Sequence, residues 1–90
     1  MTNWTFRFST EAEKQFDKLD KPIQKKIDEF FKSRVLAQPN PRTYGKQLKG
    51  RLKIFWSYRV GDYRVICNLQ VKELVILALQ IAHRRDVYKA

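Results

Sequence analysis

Residues 56–69, WSYRVGDYRVICNL, read as a β-hairpin. Gly61-Asp62 is a two-residue turn signal with glycine at the first central position, flanked by the strand-like runs Lys53–Val60 and Tyr63–Leu69. Counting outward from that turn pairs Val60 with Tyr63, Arg59 with Arg64, Tyr58 with Val65, Ser57 with Ile66 and Trp56 with Cys67. Successive side chains alternate faces, so one face collects Ile54, Trp56, Tyr58, Val60, Tyr63, Val65, Cys67 and Leu69. That apolar set predicts the core face. The other face collects Lys53, Phe55, Ser57, Arg59, Arg64, Ile66 and Asn68.

Outward from the hairpin the remaining elements follow. Leu74–Ala82 is a third strand, rich in Val, Ile and Leu, and His83–Ala90 is a short polar tail. At the other end Trp4, Phe6 and Phe8 alternate with polar residues, as in a strand. The period then changes: Thr10 and Glu13 have capping-box spacing, and Ala12, Phe16 and Leu19 form the stripe of a short helix ending near Asp20. Asp20-Lys21-Pro22 opens a second helix, with Ile23, Ile27, Phe30, Phe31 and Val35 on one side. Almost nothing separates the two, so they form an antiparallel αα-hairpin. Pro39, Pro41, Gly45 and Gly50 mark Gln38–Gly50 as a connecting loop. The expected fold is α+β in the order β-α-α-β-β-β. A mostly antiparallel four-stranded sheet carries the helical hairpin on one face.

Ninety residues form one domain, 1–90, with one core and room for one surface site. Lys plus Arg number 19 against 9 Asp plus Glu, a formal net charge of +10. Such an excess sets up a positive field that attracts polyanions. One cysteine and one histidine exclude a disulfide framework and a multi-cysteine or His-rich metal site. The opening residues carry no apolar run behind positive charge and Leu74–Leu79 is too short to span a bilayer, which predicts a cytoplasmic protein. Cys67, Trp4 and Trp56 fall at core-facing positions.

The informative face is the polar one. Arg59 and Arg64 stand opposite each other, and like charges in register are unfavourable unless an anion lies between them. Arg84 and Arg85 leave the last strand nearby, and Lys46, Lys49 and Arg51 flank the face from the loop. A guanidinium holds two phosphate oxygens at once and stays charged at any working pH. Metal-free ribonuclease chemistry needs a base for the 2′-hydroxyl, cations for the phosphorane and an acid for the 5′-oxygen. Arg59, Arg64 and Arg84 are candidate stabilisers. Lys49, Lys53, His83 and Tyr88 are candidates for handling protons or holding phosphate. No acidic pair with metal-ligand spacing lies on this face, and neither a metal nor another cofactor is expected.

WSYRVGDYRVI (56–66), the following apolar strand and AHRRDVYKA (82–90) resemble the RelE toxins of the RelE/ParE superfamily. The opening strand, the helical hairpin and Leu48-Lys49-Gly50 resemble them too, so the likeness spans nearly the whole chain. It implies a cytoplasmic toxin of a toxin–antitoxin pair that enters the A site of the 70S ribosome and cuts mRNA by metal-free 2′-hydroxyl attack. By the same likeness Arg64 contacts the scissile phosphate, and Arg84 matches an arginine near the chain end. Tyr88 matches a tyrosine that orients or activates the nucleophile. One branch places two lysines where this chain has Phe55 and Ser57; Lys53, Arg59 and Lys49 are the nearby cations expected to compensate. The proton-taking residue stays open between Tyr88, His83 and a lysine. The implied partners are a cognate antitoxin, the ribosome with its mRNA, and promoter DNA only within the toxin–antitoxin complex; no membrane is implied. The same fold admits a ParE-like inhibitor of DNA gyrase, and the charge alone admits a nucleic-acid-binding module without chemistry.

Overall fold

The structure, a computed structural model, describes residues 4–87. Its sheet has five strands: β1 (Thr5–Phe8), β2 (Gly45–Gln47), β3 (Phe55–Val60), β4 (Tyr63–Gln70) and β5 (Val75–His83). Their spatial order is β1-β5-β4-β3-β2. β1 runs parallel to β5 and the other neighbours are antiparallel. Helices α1 (Thr10–Asp17) and α2 (Lys21–Glu29) form the expected hairpin, and a one-turn α3 (Arg84–Val87) follows β5.

The hairpin register is the one that the turn dictates. Val60 pairs with Tyr63, Arg59 with Arg64, Tyr58 with Val65, Ser57 with Ile66 and Trp56 with Cys67. Gly61 carries the positive φ, +59°, at the first central position, where a type II′ turn needs a residue without a Cβ. Tyr58, Val60, Val65 and Cys67 are buried with Ile76, Ala78 and Ile81 of β5, beneath Ala12, Ile27, Phe31 and Val35 of the helical layer. Phe6 of β1 stacks on Phe31 with ring centroids 4.0 Å apart.

Several expectations need correction. The first helix is capped by Ser9, not Thr10. Ser9 ends the strand, its amide still donating to the Ala78 carbonyl, and its Oγ accepts from the Ala12 amide at 3.1 Å. Asp20 occupies the cap position of α2 without a side-chain bond. α2 does not continue as an α-helix to Val35, because Phe30–Val35 is π-helical. Ile27, at the α-helical end, and Phe31 and Val35, within the wider turn, are all buried. Strand β3 starts at Phe55 rather than Lys53: Lys53 adopts a helical turn conformation and Ile54 is 59% exposed, outside the core.

The sheet has five strands and not four because the connecting loop is ordered. A 3-10 turn at Pro41–Tyr44 leads into β2, and a second at Gly50–Leu52 leads out. Tyr58 holds this segment down. Its buried hydroxyl donates to the Pro41 carbonyl at 2.7 Å, and Gly45 lies against its ring. A Cβ on Gly45 would stand 2.8 Å from Tyr58 Cζ and 2.9 Å from Cε2. The pinned ring has nowhere to go, so Gly45→Ala is expected to cost about 1–3 kcal/mol. Urea unfolding should show a lower midpoint with an unchanged slope.

Candidate functional site

The helices cover one face of the sheet and leave the other open. On that open face lies a groove of about 1220 Å³, floored by Phe55, Ser57, Arg59, Arg64, Ile66 and Gln80. One wall is α1, through Glu11 and Gln15; the other is the segment from Tyr44 to Lys49. Glu11 and Gln15 carried no sequence signal for this role. They arrive because β1 stops at Phe8 while β5 runs on to His83. The exposed edge of β5 then takes α1 as its partner, with the Gln15 Oε1 accepting from the Ile81 amide at 2.6 Å. A bulge in β5 adds to this. Ile66 pairs with Gln80 and Cys67 with Ala78, so Leu79 is the extra residue, and both Leu79 and Gln80 reach the groove.

Arg59 and Arg64 meet in register on the groove floor. Arg59 is exposed, its Nε donating to the Gly61 carbonyl at 3.4 Å. Arg64 is half-buried and its Nη1 is withdrawn from solvent. On its other side stands Ala82, whose small side chain leaves the guanidinium room. Two like charges in this position oppose pairing by roughly 0.2–1 kcal/mol. Lys46, paired with Ser57, and Lys49 bring further positive charge to the rim. Glu11 is the carboxylate among the lining residues. An anionic chain laid in the groove would meet a floor able to fork two oxygens, with Phe55 and Ile66 offering apolar surface beside it.

The other sequence candidates fall elsewhere. Lys53 lies in the turn before β3, where its carbonyl accepts from the Gln47 Nε2, and its exposed side chain does not line the groove. Arg51 is exposed in the same turn. His83 pairs with Tyr63 and so shares its face, opposite to that of Arg64; the two rings meet edge to face at 5.3 Å. Arg84 and Arg85 are exposed at the start of α3, beyond the groove lining. Tyr88 lies outside the described residues. Trp56 is half-buried against the core, and the guanidinium of Arg42 sits 5.7 Å from its ring centroid, a cation–π contact. Burial pushes the Tyr58 hydroxyl and the Cys67 thiol well above their ordinary values, so both remain neutral and neither is a nucleophile. Among the described residues no group of three His, Cys, Asp or Glu side chains is placed to hold a metal, and no helix is long and apolar enough to cross a membrane.

Comparison with known proteins extends this picture. The family of ParE toxins of type II toxin–antitoxin systems matches residues 6–88. Toxin RelG of Mycobacterium tuberculosis is 29% identical over 86 residues, covering 96% of this chain and 97% of RelG. The toxin–antitoxin complex RelBE2 of the same organism contains a chain that superposes with a TM-score of 0.81 at 28% identity, covering 93% and 94% of the two chains. A chain of the archaeal RelE–RelB complex of Pyrococcus horikoshii gives a TM-score of 0.68 at 27% identity, covering 93% and 97%. The intact Escherichia coli RelBE complex gives a TM-score of 0.72 at 16% identity, covering 89% and 95%, a likeness of fold alone.

The arginine pair makes a prediction that is independent of function. Millimolar inorganic phosphate or sulfate should raise the Tm of the protein, measured by calorimetry. Arg59→Thr should raise stability in anion-free buffer by about 0.2–1 kcal/mol and shrink the anion effect.

Proposed function

The chain belongs to the ParE toxin family of type II toxin–antitoxin systems, and from that premise we propose that this toxin is a ribosome-dependent mRNA endonuclease. A cognate antitoxin is its partner, as the toxin–antitoxin complexes it resembles indicate. The observation that carries the nuclease reading is the in-register pair Arg59 and Arg64 on the floor of an open groove. Inhibition of a protein target needs no such clamp, whereas a phosphodiester does.

In the proposed reaction the mRNA lies along the groove in the ribosomal A site. The 2′-oxygen attacks its own 3′-phosphate, the bond to the 5′-oxygen of the next nucleotide breaks, and a 2′,3′-cyclic phosphate and a 5′-hydroxyl result. The Arg64 fork holds the non-bridging oxygens as the phosphorane gains charge. Arg59 shares the load from the neighbouring strand, and Arg84 is the further cation near the chain end. Phe55, where one branch of the family has lysine, supplies a surface for a base to stack on, and Lys46 and Lys49 follow the backbone along the rim. Lys49 and Tyr88 are the candidates for moving the protons. Arg51, Lys53 and Arg85, outside the groove, are suited to contacts with ribosomal RNA. No metal or other cofactor enters this scheme. Such a reaction takes place in the cytoplasm, and promoter DNA would be met only within the toxin–antitoxin complex. The free antitoxin segment that covers this face should be acidic, to match the net charge of +10.

A second reading, inhibition of DNA gyrase, is favoured by the ParE description of the matching family. In vitro translation of a defined mRNA, read by primer extension, separates the two. Cuts at A-site codons that require ribosomes are expected. Arg64→Ala should lower the cleavage rate by about 100-fold or more, and Arg64→Lys should recover only part of it, because an ammonium cannot fork two oxygens. A folded, antitoxin-free sample that leaves mRNA intact but blocks supercoiling would overturn the nuclease reading.

A further inference from the structure

His83 is the chain's single histidine, and its place in the sequence marks it for proton transfer. Its geometry assigns it other work. The strand pairing puts it on the face of Tyr63, whose ring meets the imidazole edge to face at 5.3 Å, and turns it away from Arg64. Its Nδ1 accepts from the Arg85 amide at 3.3 Å. Arg85 is the second residue of α3, and His83 immediately precedes that helix. This is the bond that serine, asparagine or aspartate makes at a helix N-cap, here made by an imidazole. The preceding amide is satisfied too, since the Arg84 N–H donates to the Asp62 carbonyl at 2.7 Å. α3 is thus tied at its first two residues, once to the hairpin turn and once to His83.

An imidazole whose Nδ1 accepts a hydrogen bond carries its proton on Nε2. Its one lone pair is then engaged, so it cannot act as a base without releasing Arg85. As a neutral ring it is far too weak an acid to protonate a leaving oxygen. Protonation at Nδ1 would remove the acceptor and add a cation beside Arg84 and Arg85. We propose that His83 is a positioning residue: with Nδ1 bare, it caps α3 and sets where Arg84 stands at the end of the groove-bearing sheet. The cap stands on the geometry alone; its importance for cleavage rests on the nuclease reading above.

Two measurements on the full-length protein test this. With one histidine present, nitrogen-15 NMR of the imidazole is unambiguous. At a pH where the imidazole is neutral it should show the Nε2–H tautomer, with Nδ1 accepting. An Nδ1–H tautomer would overturn the cap. In the ribosome-dependent cleavage assay at saturating ribosomes, His83→Asn keeps an acceptor at the same branch point and loses the titrating group. It should cleave within about threefold of the parent, while His83→Ala should be slower by about tenfold or more, with the apparent affinity for ribosomes unchanged. If His83→Asn is as slow as His83→Ala, the positioning role is wrong and the imidazole transfers a proton. If the parent protein itself does not cleave, the nuclease reading falls, and the NMR tautomer still decides the cap.

Discussion

A slip of one residue between β3 and β4 would turn one of the two strands over, either carrying Tyr58 into solvent and Arg59 into the core or carrying Val65 and Cys67 into solvent and Arg64 into the core. The pairing of these strands is therefore the constraint on which the rest of the molecule depends. The turn at Gly61 sets it, and the burial of one face enforces it. Burying a Val, Ile or Phe side chain stabilises by about 1.5–3 kcal/mol, far more than the repulsion between two arginines costs. The same register that builds the core thus sustains an unfavourable charge pair on the other side. Stability and site are two faces of one alternation.

The groove exists because α1 and α2 bury their stripes against one face of the sheet, and no element among the described residues before α3 covers the opposite face. Its walls come from two edge solutions. At the β5 edge, α1 takes over the free backbone where β1 ends, through Gln15 and Ile81. At the β3 edge, the short strand β2 is clamped by Tyr58, whose hydroxyl and ring hold Pro41 and Gly45. Tyr58 is also packed against Phe31, with ring centroids 5.2 Å apart. One buried tyrosine thereby connects the helical layer, the sheet and the segment that brings Lys46 and Lys49 to the rim.

Arg64 shows the trade such a site makes. A guanidinium in register with a second guanidinium is a poor choice for folding and a good one for holding a phosphate. A basic face of this kind also attracts an acidic partner, since a field of this sign speeds encounter with one. His83 sits on the opposite face, at the junction between β5 and α3, so two neighbours in sequence, His83 and Arg84, stand in different surroundings.

The alternation around Gly61-Asp62 was enough to pair Arg59 with Arg64 and to put Tyr58, Val65 and Cys67 inside, because a two-residue turn leaves one register. The amphipathic stripes of α1 and α2 were legible for the same reason, since local period and burial agree. What the sequence could not show depends on contacts between distant residues. Gly45–Gln47 has no strand-like pattern and is a strand only because Tyr58 holds it. The π-helical turn after Glu29 has no local sequence signal, and Ser9 caps α1 because β5 fixes where β1 ends. Glu11 and Gln15 join the groove through the unequal lengths of β1 and β5. Lys53 leaves it because β3 begins two residues late. Chain-local chemistry determined the fold class and the arginine pair; the tertiary structure decided which other side chains stand beside that pair, because an edge left open must be satisfied by whatever segment can reach it.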